Sequence, residues 1–340
     1  MESFLCAFPE HICEGYERGK EAVSKPYAGS LKVLLFCGIG GSGISGRILE
    51  RLLMSSLPIP FLVISSPPLP PWVGEETLCM VATYSGNTEE TLALAREARK
   101  RKARLLLLSQ GGALAREREE EDLFVCLPGG LQPRFALGYM LGGLLGALEM
   151  LFPSLSFRQD LEETQKYLKA TLPTYATSES LPCRLAQEIA SAIPVFIGIE
   201  HYTDFAAWRC KTQCNENAKH VAFASTLPEA MHNEIVGFFH PDSLPLVFCA
   251  LHDPEEPLFC TTMARAYLRH VAKRKMKTFE VWAEGKSPLC RALSLVAFGD
   301  WLSLHLARIH AEDPGRIPAI THLKRFFKKL ECGFEGGEKI

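Results

Sequence analysis

Residues 81–91 read V-A-T-Y-S-G-N-T-E-E-T and are the clearest indication of how this chain folds. Residues 77–84 are apolar and β-branched enough for a buried strand, and residues 88–100 have the composition of a helix. Gly86 and Asn87 lie between them and can take the positive φ that a sharp turn requires. The stretch therefore predicts a buried strand, a tight turn and the start of a helix.

Three hydroxyl side chains gather around this turn, and we call Thr83, Ser85 and Thr88 the hydroxyl cluster. Together with the unpaired N–H groups of the first helical turn, they offer a phosphate several donors at the positive end of the helix dipole. The alternative is an ordinary helix cap, in which Thr88 caps the helix and Glu90 and Thr91 complete it. On these residues alone both interpretations stay open.

Composition excludes several classes of protein. The 340 residues suit two domains of roughly 150 residues each. The formal net charge of −2 gives no basic excess to bind a nucleic-acid backbone, so we expect no nucleic-acid partner. The 12 cysteines are scattered without a C-x-x-C pair, which favours reduced thiols in the cytoplasm. No secretory signal pattern opens the chain.

The most apolar run lies at residues 137–151 and contains glycines four positions apart. It is bounded by Arg134, is interrupted by Glu149 and is too short to span a membrane, which takes about 20 apolar residues. We therefore expect a buried helix and no membrane partner. The glycines indicate that another helix packs closely against it.

Strand and helix patterns alternate along the whole chain. Strands are predicted at residues 32–38, 61–65, 77–84, 103–109 and 123–127, and again at 194–199, 221–224, 244–250 and 278–283. This alternation predicts an α/β fold with doubly wound parallel sheets, whose ligands bind at the carboxyl ends of the strands. The predicted division is a first domain at 1–152, a helical linker at 153–180, a second domain at 181–332 and a flexible tail at 333–340.

The glycine loop G-I-G-G-S-G at residues 38–43 follows a strand and opens a helix, which is the context of a dinucleotide-binding fingerprint. That fingerprint also needs an acidic residue about 20 positions on to hold the ribose, and residues 64–66 read Ile-Ser-Ser instead. We therefore expect no nicotinamide cofactor. The loop is interpreted as one whose glycines, Gly41 among them, let backbone approach a sugar or phosphate, with Ser42 as a donor.

The second half supplies candidate acid–base residues. N-E-N at residues 215–217 places Glu216 between two asparagines near a helix end, although asparagine is a poor helix former. The pattern favours a site in which Asn215 and Asn217 hold a carboxylate or the hydroxyls of a sugar over its alternative, a polar last turn. His232 follows in the polar loop at 228–237, next to Asn233.

These motifs resemble those of the bifunctional phosphoglucose/phosphomannose isomerases, over nearly the whole chain. The shared motifs, in the same order, are the glycine loop with Ser42, S-G-N-T-E-E-T at 85–91, Q-P-R-F-A-L-G-Y at 132–139, N-E-N-A-K at 215–219, H-N-E-I at 232–235 and L-K at 323–324. The first two occur in any sugar isomerase (SIS) domain, and the last four narrow the resemblance. It implies two SIS domains, each with a five-stranded parallel sheet, in a homodimer whose sites lie near the subunit boundary.

The resemblance also implies an activity. It is the interconversion of glucose 6-phosphate and mannose 6-phosphate with fructose 6-phosphate through a cis-enediol(ate), with neither metal nor redox cofactor. Glu216 would be the proton-shuttling base, Arg134 the cation near the enediolate oxygens, and the hydroxyl cluster the phosphate clamp. His232, reaching in from the other subunit, would open the sugar ring with help from Lys324.

Alternatives accompany this expectation. The residues around Arg134 by themselves favour a structural charge at the helix end that pairs with Glu149 or a loop carbonyl, and only the resemblance favours the catalytic role. A sugar-phosphate-binding regulator would keep the phosphate clamp without needing a carboxylate and an imidazole. Two further alternatives are an isomerase of another phosphosugar and a nicotinamide-dependent oxidoreductase.

Overall fold

The computed structural model describes residues 1–26, 29–238, 244–323 and 326. Its first half contains α1 (Glu2–Cys6), α2 (Phe8–Glu21), β1 (Val33–Cys37), α3 (Gly40–Leu53), β2 (Phe61–Ile64), β3 (Thr77–Ala82), α4 (Glu89–Lys100), β4 (Arg104–Ser109), α5 (Gly112–Arg116), β5 (Leu123–Cys126) and α6 (Leu137–Leu151). The helix α7 (Arg158–Tyr175) follows, within the predicted linker. The predicted domain limits themselves stay a prediction.

The second half repeats the alternation of helices and strands. It contains α8 (Leu181–Ile189), β6 (Ile193–Ile199), α9 (Asp204–Ala218), β7 (Phe223–Leu227), α10 (Glu234–Gly237), β8 (Leu246–His252), α11 (Leu258–Ala272), β9 (Lys277–Trp282) and α12 (Pro288–Ile309). A further helical stretch covers residues 318–323. The predicted tail at 333–340 lies outside the described residues.

All strand pairs in both sheets are parallel, in the orders β2-β1-β3-β4-β5 and β7-β6-β8-β9. The predicted α/β fold with two parallel sheets between helices is confirmed. The implied fifth strand is present in the first sheet, whereas the second sheet has four strands among the described residues. The reason is local: only residues 283–287 separate β9 from α12, whereas α5 and β5 lie between β4 and α6.

The strand order explains where a ligand site forms. In each sheet the strand that comes first in sequence, β1 or β6, is second in the spatial order. The chain continues from it to the edge strand on one side, β2 or β7, and then crosses to the strand on its other side, β3 or β8. At such a switch point the loops after the two central strands separate and leave a crevice at their carboxyl ends. In the first sheet these are the loops that follow β1 and β3, which carry the glycine loop and the hydroxyl cluster.

The apolar helix α6 packs against α2 with almost no side chains between the two backbones. A Cβ added at Gly142 would lie 2.1 Å from the carbonyl oxygen of Ile12, and one added at Gly146 would lie 2.0 Å from that of Tyr16. Most of α6 is buried. The expectation of a buried helix in close contact with another is confirmed.

Backbone geometry sets the limits of the helices that carry the site residues. A 3-10 turn at Pro133–Phe135 precedes α6 and holds Arg134. Helix α9 begins at Asp204, after His201, whose φ of 65° lies outside the helical region. At its other end Lys219, with a φ of 53°, terminates α9 directly after the N-E-N motif.

Helix α12, more than the run at 137–151, has the length and apolar composition of a membrane span. Every residue in its apolar window is buried inside the protein. Its long-range packing partners are chiefly α9, α8 and α7. In this structure α12 is thus a core helix of the second domain.

Candidate active site

The hydroxyl cluster lies where β3 ends and α4 begins. Thr83 Oγ1 is 2.9 Å from Thr88 Oγ1 and 3.5 Å from Ser85 Oγ. Thr88 occupies the N-cap position of α4, but its side chain caps none of the described N–H groups of that helix. The interpretation as an ordinary cap is therefore wrong for this side chain. The first-turn N–H groups of α4 keep their capacity to bind an anion.

The turn that presents the cluster packs against the next loop of the sheet. Gly86 has a φ of 69°, and a Cβ added there would lie 1.8 Å from the carbonyl oxygen of Gly111. Asn87 does not share the positive φ; its Oδ1 instead accepts a hydrogen bond from the N–H of Ala113 at 3.0 Å. Contacts with the loop after β4 therefore fix the turn in place.

The glycine loop at 38–43 connects the turn to a buried arginine. Ser42 is buried, and its Oγ accepts a hydrogen bond from the N–H of Tyr84 at 3.1 Å. Gly41 lies against the backbone of Arg134, since a Cβ added at Gly41 would be 2.6 Å from the Arg134 nitrogen. Only glycine permits this approach, so the loop brings the hydroxyl cluster and Arg134 to the same end of the sheet.

Arg134 projects from the 3-10 turn, and its guanidinium has three partners. Nη1 donates to Glu216 Oε2 at 3.3 Å, Nε to Asn217 Oδ1 at 2.8 Å and Nη2 to the carbonyl of Pro314 at 2.5 Å. The side chain of Arg134 is 2% exposed and that of Glu216 is 26% exposed. A buried cation from the first domain therefore lies beside a solvent-accessible carboxylate from the second.

Burial and neighbouring charges act on this arginine in opposite directions. Desolvation lowers the pKa of Arg134, the Glu216 carboxylate raises it, and the nearby Arg209 lowers it. An arginine begins from a pKa above about 12, so the guanidinium stays charged at neutral pH. The site thus keeps a permanent positive charge where little water can screen it.

Glu149, the alternative partner of Arg134, is engaged elsewhere. It accepts hydrogen bonds from the hydroxyl of Tyr16 and the N–H of Phe157, both at 2.6 Å. Arg134 does bind a loop carbonyl, that of Pro314. The alternative was therefore wrong for the carboxylate and correct for the carbonyl.

The segment at 313–315 follows α12 and lies along the same site. Its three carbonyls accept hydrogen bonds from surrounding side chains: Lys219 Nζ to Asp313 at 2.5 Å, Arg134 Nη2 to Pro314 at 2.5 Å, and Gln132 Nε2 to Gly315 at 2.7 Å. The chain then enters the helical residues 318–323. The predicted site residue Lys324 lies outside the described residues.

His232 lies on an exposed loop between β7 and α10. Its backbone N–H donates to the carbonyl of Glu229 at 2.9 Å, and its side chain is open to solvent. Among the described residues of this chain, no hydrogen bond or ion pair joins His232 to Glu216 or Arg134. One chain by itself brings together the arginine, the glutamate, the glycine loop and the hydroxyl cluster, but not the histidine.

Sequence reasoning missed two residues that support the site. Arg209 Nη2 donates to the backbone carbonyl of Arg134 at 2.8 Å, and Arg209 forms an ion pair with Asp300. Asp300 did carry a signal, because a lone carboxylate inside the apolar run of α12 needs a buried partner. Arg209 stands among other polar residues of α9, and its local sequence gives no comparable signal.

Similarity to known proteins agrees with this geometry. Residues 179–326 match the family model described as the bacterial phospho-glucose isomerase C-terminal SIS domain. The chain is 33% identical to the bifunctional phosphoglucose/phosphomannose isomerase of Caldicellulosiruptor bescii, over 95% of this chain and 97% of that protein. A protein of the same name from Aquifex aeolicus is 34% identical over 89% of this chain and 92% of its own length. The chain belongs to the bifunctional phosphoglucose/phosphomannose isomerase family.

The fold of this family member is also found in more distant solved structures. The tagatose-6-phosphate ketose/aldose isomerase of Escherichia coli superposes with a TM-score of 0.64, covering 93% of this chain and 95% of its own, at 13% identity. At that identity the likeness concerns the fold alone. The resemblance read from the sequence motifs, with its two SIS domains, is confirmed.

Proposed function

We propose that this protein is a cofactor-independent aldose–ketose isomerase. It interconverts glucose 6-phosphate, and mannose 6-phosphate, with fructose 6-phosphate through a cis-enediol(ate). The observation that carries the proposal is the contact between Arg134 and Glu216, 3.3 Å apart, next to the phosphate-binding loops. Membership of the family supports the same reaction.

The two paired residues have complementary tasks in this reaction. Glu216 transfers the proton between C1 and C2, a role that suits a carboxylate accessible enough to meet substrate. Arg134 stabilises the negative charge that develops on the enediolate oxygens, and its burial strengthens that interaction. Because the guanidinium lies beside the carboxylate, Glu216 can take a proton from a carbon while Arg134 binds the oxygen on the adjacent atom of the same substrate.

The phosphate group is the anchor that positions the sugar. The hydroxyls of Thr83, Ser85 and Thr88 and the first-turn N–H groups of α4 supply donors to it. The glycine loop that contains Gly41 approaches it as well, with Ser42 as a further donor. A phosphate held at the end of β3 leaves the C1–C2 end of an open-chain hexose to extend toward Arg134. In this assignment the loops bind the phosphate, and the Arg134–Glu216 pair carries out the chemistry at C1 and C2.

Ring opening needs a further acid–base group, and we assign it to His232 of the other subunit in a homodimer, assisted by Lys324. The exposed position of His232 in a single chain supports this, since a side chain that enters a neighbour's site is open to solvent until the neighbour binds.

We also infer a cytoplasmic location, because the eleven cysteines within the described residues are all free thiols.

Subunit complementation tests the shared site. Glu216→Gln and His232→Ala chains are each inactive, and the two are mixed after dissociation and reassembly. If His232 crosses to the other subunit, each heterodimer regains one complete site, and activity rises to about a quarter of wild type in a random mixture. If His232 acts within its own chain, every site keeps a defect and activity does not return.

Proton NMR in D2O tests the reaction directly. Purified, metal-stripped protein is incubated with fructose 6-phosphate, and separately with mannose 6-phosphate, without nicotinamide. We expect both aldose phosphates to form from fructose 6-phosphate, with deuterium at C2, because the transferred proton exchanges with solvent at the carboxylate.

Other outcomes of that experiment select the alternatives. Phosphosugar binding with no turnover would overturn the proposal in favour of a regulator. Turnover that begins only when nicotinamide is added would favour an oxidoreductase. Formation of glucose 6-phosphate alone would remove mannose 6-phosphate from the substrates, and turnover of a different phosphosugar only would redirect the assignment within the SIS fold.

A further inference from the structure

A buried ion pair lies behind the candidate active site, between α9 and α12. Arg209 donates to Asp300 through Nε at 2.8 Å and through Nη2 at 2.9 Å, and the two side chains are 3% and 8% exposed. Gln213 Nε2 donates to the same carboxylate at 2.7 Å. The guanidinium fork and a second donor thus fix the orientation of Arg209.

The fixed guanidinium holds the backbone of the catalytic arginine. Arg209 Nη2 also donates to the carbonyl oxygen of Arg134 at 2.8 Å. On the other side of this residue Gly41 lies so close that a Cβ there would be 2.6 Å from the Arg134 nitrogen. The main chain at Arg134 is therefore held between the second domain and the glycine loop of the first.

A second chain of hydrogen bonds holds the Arg134 side chain. Its Nε donates to Asn217 Oδ1 at 2.8 Å, while Asn217 Nδ2 donates to Ser303 Oγ at 2.9 Å. Ser303 Oγ in turn donates to the carbonyl of Asp300 at 2.7 Å. Because Asn217 is fully buried and has partners at both ends of its amide, its oxygen is directed at Arg134.

The cost of burying these charges makes a purely stabilising role a poor explanation. Taking an ion pair out of water opposes folding, and apolar residues of similar volume are often as stable in its place. Both chains of hydrogen bonds end on the same residue, Arg134, one on its backbone and one on its guanidinium. What the network provides is therefore a defined position for that guanidinium.

We propose that Asn217 and the Arg209–Asp300 pair are positioning residues, which act through Arg134 and set its guanidinium against the enediolate. The inference rests on the proposed isomerase function and deepens it. A displacement of about 1 Å at a reacting group can cost on the order of 100-fold in rate, so loosening this network lowers turnover without removing a group that touches substrate.

The test compares three variants in one domain. Asn217→Ala removes the acceptor of the Arg134 Nε bond and leaves the ion pair intact, and Asp300→Asn weakens the pair. The matched control is Asp253→Asn, which weakens another buried pair of the second domain, Asp253–Arg291, at 2.8 Å with both side chains 7% exposed. Steady-state kinetics per folded molecule and thermal unfolding are measured for each.

We expect kcat to fall about 10- to 100-fold in Asn217→Ala and Asp300→Asn, with KM within about threefold of wild type. The control loses thermal stability but keeps its kcat. Asn217→Asp, which retains an oxygen facing Arg134, recovers part of the lost kcat. If Asp300→Asn fails to fold, Asn217→Ala carries the test, because it leaves both charges paired.

Two results overturn the inference. One is a kcat within twofold of wild type in Asn217→Ala, with only thermal stability reduced as in the control; the network would then be structural. The other is a raised KM with unchanged kcat, which would place the network in substrate binding. Wild-type turnover alongside either result leaves the proposed function standing, whereas absent wild-type turnover overturns both.

Discussion

The two sheets share the strand order of their four common strands, yet the loops at their carboxyl ends carry opposite chemistry. In the first sheet β1 and β3 are followed by the glycine loop and the hydroxyl cluster. In the second sheet the corresponding strands, β6 and β8, are followed by residues 200–203 and 253–257. The carboxylates in those two loops are Glu200, Asp253, Glu255 and Glu256, and Asp204 opens α9 directly after the first of them.

Two of the carboxylates after β8 are already occupied within the protein. Asp253 Oδ1 is 2.8 Å from Arg291 Nε, and Glu256 Oε1 is 2.7 Å from His252 Nδ1. A phosphate at this edge would meet negative charge where the first sheet offers hydroxyls and helix N–H groups. The same topology therefore presents candidate phosphate donors in the first sheet and carboxylates in the second, whose contribution to the candidate site comes from the end of α9.

The core helices that follow the last strands also differ in how they pack. Helix α6 contacts α2 backbone against backbone at its glycines, and a hydrogen bond from Tyr16 to Glu149 adds to this contact. Helix α12 instead carries a buried ion pair, Asp300 with Arg209, and its His305 Nε2 lies 2.7 Å from the carbonyl of Tyr175. Close backbone packing therefore distinguishes α6, and buried charge distinguishes α12.

The largest expected effect is at the reacting end of the second domain. Glu216→Gln should lower kcat by about 10²–10⁴-fold with little change in KM, because a positioned acid–base group acts in the transition state. Steady-state kinetics with fructose 6-phosphate measures it. Near-normal turnover would remove Glu216 from the mechanism, and the second domain would then no longer be the source of the catalytic base.

Removing one donor from the hydroxyl cluster should chiefly weaken binding. Thr88→Val deletes one charge-assisted hydrogen bond of about 1.5–3 kcal/mol, so kcat/KM should fall about 10- to 100-fold, mainly through KM. The matched control is Thr261→Val in α11 of the second domain, where the hydroxyl donates to Glu256 at 2.8 Å. An equal rise of KM in both variants would contradict a phosphate site confined to the first sheet.

The packing of α6 should be sensitive to a single methyl group. Gly142→Ala places a Cβ 2.1 Å from the carbonyl oxygen of Ile12 and should lower the free energy of unfolding by about 1–3 kcal/mol. Urea unfolding measures the change. Gly74→Ala, whose Cβ would meet nothing nearer than 3.8 Å, serves as the control. Equal stability of the two variants would show that α2 and α6 can separate freely.

The smallest effect is a pH dependence of stability from α12. Burial lowers the pKa of His305, the hydrogen bond to Tyr175 opposes this, Arg308 lowers the pKa further and Glu2 raises it. The unfolded state therefore binds the proton first as pH falls below about 6.5, and stability that is complete above that pH is lost below it.

We expect the urea midpoint to fall between about pH 7.5 and pH 5.5, since burial also lowers the pKa of His11 and of His220. His305→Gln keeps a side-chain donor for Tyr175 but cannot titrate, so its midpoint should fall less than that of wild type. His232→Gln, on the exposed loop, is the control. If the urea midpoint of His305→Gln falls with pH as much as that of wild type, His305 is excluded as a source of the pH dependence.

Several features of the site could be predicted because they depend on residues that are close together in the sequence. The apolar strand, Gly86 and the hydroxyls at 83–88 lie within one turn, so their spacing alone predicts a strand end facing a helix start. The glycine loop is equally local, because it joins β1 to α3 within a few residues. The glycines of α6 predicted its close packing for the same reason.

Short-range patterns in the chain were enough to specify the order of elements, the parallel sheets and the loops at their carboxyl ends. The partner of Arg134 was settled by long-range packing, since Glu216 and Asn217 lie 82 and 83 positions away along the chain. The Arg209–Asp300 pair spans 91 positions and depends on how α9 packs against α12. Charges that far apart meet only after folding, where burial makes each choice of partner energetically decisive.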